Sequence, residues 1–260
     1  MIHHTFSFLH GIGERLERRF WRSGILTWDD FIAAEGIEGL GPESKSLYDS
    51  QLTAHAKHLA QGDARHFART MKRRDHWKLY EVFGGEAVCL DIETNGLRPE
   101  YGGYATVVGL YDGYDWTCLV KDENLTTDNL NRALSGYKCL ITFYGAAFDV
   151  PFLQRCFPGV RFDIPHFDLC FAARRVGFNG GLKKLEVECG VCREEAVRGL
   201  NGYDAVKLWD RAERGSLEAR NLLLVYNRED TRNLLALAGL LYRKLKVSTG
   251  IEQFVTCGIA

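Results

Sequence analysis

The chain has 260 residues, of which 46% are hydrophobic and 26% charged, and its formal net charge is −1. That length suits one larger domain with a small appendage, or two modest domains, and the composition can bury a core. It excludes a strongly basic protein that draws in a polyanion through its overall field; any nucleic acid is to be held by local basic patches and bound cations.

Residues up to about Glu86 read as helical and hold all but one of the histidines. Gly11-Ile12-Gly13 stands ahead of Leu16, Phe20 and Trp21 at helical spacing. Gly24-Ile25 ends that helix, and Thr27 is placed to cap the next. The Gly-Ile-Gly turn resembles a helix-hairpin-helix, whose backbone N–H groups meet a phosphate without reading sequence. Gly11 and Gly13 are therefore candidate contacts, with Arg15, Arg18, Arg19 and Arg22 following at once. The alternative is a hairpin that only packs a small helical domain, with Glu14 and Glu17 diluting the charge. Met71 to His76 reads as a basic connection: a solvated helix face, or a segment that brushes phosphates.

After Gly84-Gly85 the texture changes, which divides the chain into a helical module at 1–85 and a second domain at 86–260. Ala87 to Ile92 and Ala105 to Tyr111 read as buried strands. Trp116 to Lys121 reads as a third, entered by a hairpin turn. A polar helix is predicted from Thr127 to Ser135 and a fourth strand from Lys138 to Phe143. Helices are expected after Asp149, around His166 to Val176, around Leu182 to Cys189, and from about Leu217 to Leu245. This order predicts an α/β or α+β sheet with helices on its faces.

No secretory leader and no apolar run near the length of a membrane span is found, so a cytoplasmic, soluble protein with no membrane partner is expected. Of eight cysteines only Cys189 and Cys192 have ligand-like spacing, with no second pair at a finger-like distance. Reduced thiols, including Cys257, are the better reading.

Three acidic signals carry the chemistry. In Leu90-Asp91-Ile92-Glu93, strand alternation puts Asp91 and Glu93 on one face. Two carboxylates there repel and lose hydration unless a cation neutralises them, and hard oxygen ligands suit Mg²⁺ or Mn²⁺. A strand end where both acids reach water is the alternative. Asp149, in Phe148-Asp149-Val150-Pro151, follows a strand and opens a helix, where it could simply cap. Tyr226 and Asp230, four apart, lie on one face of the long helix, and the polar residues between them could equally mark an exposed turn.

Taken in order, Asp-x-Glu, Phe-Asp and Tyr-x-x-x-Asp resemble the DEDD exonuclease superfamily in its tyrosine-bearing branch. With Pro165 to Leu169, Gly181 to Glu186, Gly202 to Val206 and Tyr226 to Asp230, residues 86 to 245 resemble the YprB-type ribonuclease-H-like exonuclease family. The resemblance implies a ribonuclease-H-like mixed sheet flanked by helices, and 3′→5′ hydrolysis of DNA or RNA using two divalent ions, Mg²⁺ or Mn²⁺. It implies that Asp91, Glu93 and Asp230 hold the ion at the attacking water. Asp91 is implied to bridge to a second ion near the leaving oxygen, Asp149 to act largely through a water, and Tyr226 to orient the nucleophile. Thr94, Asn95, Phe148 and Lys183 are candidate contacts to the substrate, expected to be a single-stranded 3′ end. Tyr144 stands where similar sequences often carry Asn. His166 is expected to orient Asp168 or to pack in a loop. No protein partner is indicated. The alternatives are a catalytically silent nucleic-acid-binding protein and a structure-specific endonuclease on the same fold.

Overall fold

The computed structural model describes residues 1–255. Helices α1 (Glu14–Arg22), α2 (Trp28–Ala33), α3 (Pro42–Ala60) and α4 (Ala64–Thr70) lead through the 3-10 segment Arg73–Leu79 into the short α5 (Tyr80–Phe83). Their boundaries follow local chemistry. Thr27 and Asp30 form a capping box, Pro42 occupies the first turn of α3, and the Asp63 side chain caps α4. Phe6, Phe20, Phe31 and Trp28 fill the centre, with Phe6 edge-on to Phe20 at 5.5 Å.

The helix-hairpin-helix expectation fails on the side ahead of Gly11. Only a 3-10 turn, Ile2–His4, precedes it. The N–H groups of Phe6 and Ser7 donate to the buried Glu17 carboxylate, which also accepts from the Thr5 hydroxyl at 2.7 Å. Amides engaged this way cannot make the i→i−4 bonds of a helix. Glu14 and Glu17 also lie in the first turn of α1, so its positive end already faces carboxylates.

The second half builds β1 (Ala87–Thr94), β2 (Ala105–Tyr111), β3 (Trp116–Val120), α6 (Thr127–Leu134), β4 (Cys139–Thr142), α7 (Asp149–Cys156), β5 (His166–Asp168) and α8 (Leu169–Arg175). It continues with α9 (Leu182–Cys189), α10 (Gly202–Glu213) and α11 (Leu217–Thr249). The sheet runs β3-β2-β1-β4-β5, antiparallel among the first three strands and parallel from β1 through β5. The predicted strands are present. One expectation is corrected: His166–Asp168 is a strand, and the helix begins only at Leu169. Three residues carry no periodicity; pairing with the β4 edge decides their conformation. Helix α10 was not foreseen, although an Asn201–Asp204 capping box opens it.

The two faces of the sheet bury different elements. Val88, Leu90 and Ile92 pack with Leu130, Leu134, Val150 and Leu153 of α6 and α7. Cys89 of β1, with Cys139 and Ile141 of β4, packs on the opposite side against Leu234, Leu237 and Leu241 of α11. That same apolar cluster runs on into Phe6, Phe20 and Phe67, so residues 1–85 share one core with the sheet. Among the described residues every cysteine is a free thiol, and Cys257 lies outside them. Among those residues, too, no helix is long and apolar enough to cross a membrane.

Candidate active site

Asp91 and Glu93 follow Cys89 on the face of β1 that α11 covers. The helix approaches closely because Gly109 lies opposite Asp91 on β2: a Cβ there would stand 2.0 Å from Asn227 Oδ1. Asn227, fully buried, donates from Nδ2 to Asp91 Oδ2 at 3.1 Å and to the Asp91 carbonyl at 3.2 Å. One turn on, Asp230 reaches the same place. Asp91, Glu93 and Asp230 each offer an oxygen, and the three lie within 4.8 Å of one another. The stretch from Tyr226 to Asp230 is thus no exposed turn: Tyr226, Asn227, Glu229 and Asp230 are all buried.

Asp149 stands beside this trio, outside the tight group. It is not the cap of α7, a position held by Phe148. Its Oδ1 accepts the N–H of Ile92 at 3.2 Å, the amide between the two strand acids. Burial, and then the neighbouring acids, push Asp91 and Glu93 well above the usual carboxylate range. Burial also raises Asp149 to about 7, and raises Asp230 against the pull of Arg193 and Lys183. Glu93 Oε1 is buried with no hydrogen-bond partner. Closely spaced, desolvated carboxylates with a bare oxygen fit a hard divalent cation.

Two cations border the acids. Lys183 of α9 donates to the Tyr226 hydroxyl at 2.5 Å and lies 4.4 Å from the centre of its ring. Burial lowers the pKa of Lys183 and, with Asp230 and Glu93, raises that of Tyr226, which remains a neutral phenol. The second cation, Arg193, escaped the sequence reading. Its Nε and Nη2 hold Glu186 at 2.5 and 2.7 Å, and Nη2 also contacts Asp230. Asn233 Nδ2 donates to Glu186 at 3.0 Å, so two residues of α11 and two from the α9 region form one buried network. Burial opposes the Arg193 charge, but Glu186 and Asp230 outweigh it and raise its pKa. The only signal available was Glu186 itself, an acid inside an otherwise amphipathic helix.

The remaining candidates divide. Thr94 and Phe148 line one pocket with Leu97, Phe152 and Arg155. Asn95 is engaged locally: its Oδ1 accepts from Tyr104 N at 3.1 Å and its Nδ2 donates to the Gly102 carbonyl at 3.2 Å. Gly11 adopts φ +82° beside Tyr48, and Gly13 caps α1; both belong to the helical half. His166 bonds Thr142 at 2.8 Å, not Asp168, and burial pushes it down to about 3. Asp168 instead accepts the N–H groups of Tyr144 and Ala146, both at 2.9 Å, and so anchors the loop that leads into Asp149.

No curated protein matches the chain. Among solved structures, the apo form of a nuclease is similar at 24% identity over 66% of this chain and 78% of that one, with a TM-score of 0.48. Brucella melitensis NrnC with bound Mg²⁺ is similar at 19% identity over 68% and 82%, with a TM-score of 0.47. The same protein bound to pGG gives 21% identity over the same shares and a TM-score of 0.46. The RNase_H superfamily profile matches residues 88–242, the span that holds all of the sheet but Ala87 and all four acids, and the chain belongs to that superfamily.

Proposed function

We propose that the protein is a divalent-metal-dependent 3′→5′ exonuclease acting on single-stranded ends of DNA or RNA. The observation that carries this reading is the convergence of Asp91, Glu93 and Asp230 within 4.8 Å. These three acids would hold Mg²⁺ or Mn²⁺, with Asp149 beside them toward a second ion. When bound, such ions supply the positive charge that an in-line displacement at phosphorus needs at its entering and leaving oxygens. The protein's own groups do the positioning. Asn227 fixes the Asp91 carboxylate. Tyr226, a phenol that accepts from Lys183, has its own proton free to donate and so orients an attacking water instead of deprotonating it. Thr94 and Phe148, in the pocket beside Asp149, receive the terminal nucleotide. The amino-terminal module, residues 1–85, contributes a basic groove along α1 lined by Arg15, Arg18, Arg19 and Arg22.

The expected result is Mg²⁺-dependent shortening of a 5′-labelled single strand to mononucleotide steps, with a circular strand left intact. Asp91→Asn and Asp230→Asn should each abolish it while circular dichroism stays unchanged. Full activity in either variant removes that residue from the reaction. One observation favours a silent binding protein as the second reading: Arg193 already contacts Asp230, so a guanidinium partly supplies the charge a metal would bring. Binding of labelled strands without hydrolysis under Mg²⁺ and Mn²⁺ would select it.

A further inference from the structure

A second cavity lies where the 3-10 segment Arg73–Leu79, β5 and α8 meet. It encloses about 300 Å³, and its walls include Trp77 and Phe171 together with Arg73, Arg74 and Arg175. Asp168 is the single acid among its lining residues, and its carboxylate accepts the N–H groups of Tyr144, Ala146 and Cys170. Three arginines therefore share the cavity wall with one acid, whose carboxylate is already engaged by backbone amides; of the three, Arg74 also lies 3.6 Å from Asp75. Arg175 is held in place: it lies 5.7 Å from the centre of the Trp77 ring and donates to the Arg74 carbonyl at 2.8 Å. Trp77, only 3% exposed, keeps an indole N–H with no hydrogen-bond partner.

The rim is aromatic as well. Phe171 is 43% exposed and Tyr144 45% exposed, and their ring centres are 6.0 Å apart. Tyr144 adopts φ +67°, a left-handed conformation uncommon for a non-glycine residue. Ala146 lines this cavity, and Ala147 and Phe148 line the pocket beside Thr94. The short loop that ends at Asp149 therefore separates the two.

We infer that this cavity is an upstream nucleotide subsite, one that takes a base and phosphate of the same strand whose 3′ end lies at the acids. An apolar hollow alone would suit many ligands. Arginines set around exposed aromatic rings suit a nucleotide of single-stranded nucleic acid, because stacking accepts any base and the guanidinium fork matches a phosphate. The inference rests on the exonuclease reading for the direction of the strand, not for the existence of the subsite.

The test measures binding of fluorescein-labelled three- and twelve-nucleotide strands to the full chain carrying Asp91→Asn, in Mg²⁺, so that hydrolysis plays no part. The unmodified cavity should bind the longer strand more tightly. Arg73→Ala/Arg74→Ala should erase most of that preference, a loss of roughly tenfold, and lower the steepness of the salt dependence. Phe171→Ala should weaken the longer strand with the salt dependence unchanged, an outcome that a mere loss of charge does not give. A length preference undiminished in the arginine variant, or no length preference at all, overturns the subsite. If the wild-type protein hydrolyses nothing while these binding effects hold, the exonuclease reading falls and the subsite stands.

Discussion

At the scale of single residues, the chemistry depends on how a crowd of acids is tolerated in a dry place. Asp149, raised from the usual 3.8 to about 7, keeps a proton in the folded state that the unfolded chain has already released. Between about pH 4 and 7 the folded form therefore binds more protons, and the metal-free protein should lose stability as pH rises, by on the order of 4 kcal/mol for this group. Urea unfolding across that range checks it, and Mg²⁺ should restore stability above pH 7. A flat metal-free profile would show that burial does not hold a proton on Asp149. Arg193 is the counterweight. Arg193→Gln leaves Glu186 buried without its cation and should cost roughly 3–5 kcal/mol, whereas the pair Glu186→Gln/Arg193→Gln should cost less than the sum of the two single changes. Asp91 and Glu93 were legible from the sequence because strand alternation alone puts them on one face. Arg193 was not, because a loop arginine acquires meaning only from what folds around it.

At the scale of elements, the site exists because α11 lies directly on β1 and β2. Gly109 permits that approach, since any side chain there would meet Asn227 and Thr231, whose Oγ1 would stand 2.7 Å from an added Cβ. Gly109→Ala should therefore destabilise by about 1–3 kcal/mol or more and lower hydrolysis, by shifting Asn227 away from Asp91. Activity and stability at wild-type levels would mean that α11 can retreat without harm. The long helix was readable from its apolar spacing, and the first four strands from their runs of buried residues. Strand β5 was not readable, because His166–Asp168 is too short for any pattern and owes its form to the β4 edge. The amino-terminal turn was misread for a related reason: the Glu17 carboxylate takes up amides that a helix would need.

At the scale of the whole molecule, the helical half and the sheet share one apolar cluster, in which Phe6, Phe20 and Phe67 join Cys89, Ile141 and Leu241. Cutting the chain near residue 85 would expose that surface. The fragment 86–260 should therefore lack a cooperative thermal transition and bind a hydrophobic dye; a sharp transition near that of the full chain would show the halves to be independent. For the same reason, the contribution of the α1 groove is better tested by Arg15→Ala/Arg18→Ala/Arg22→Ala in the full chain. That variant should reduce the salt slope of strand binding without altering the melt.

The sequence by itself determined the sheet-and-helix class, because period is a local property; it proposed Asp91, Glu93, Asp149 and Asp230 as one set only through the resemblance of its ordered motifs to a known family, since each acid taken singly had another reading. Only the tertiary structure decided which groups surround those acids, that Asn95 bonds its own loop and His166 bonds Thr142, and where a basic aromatic cavity opens. Those outcomes depend on contacts between segments far apart in the chain, and no local pattern encodes the distance at which two such segments come to rest.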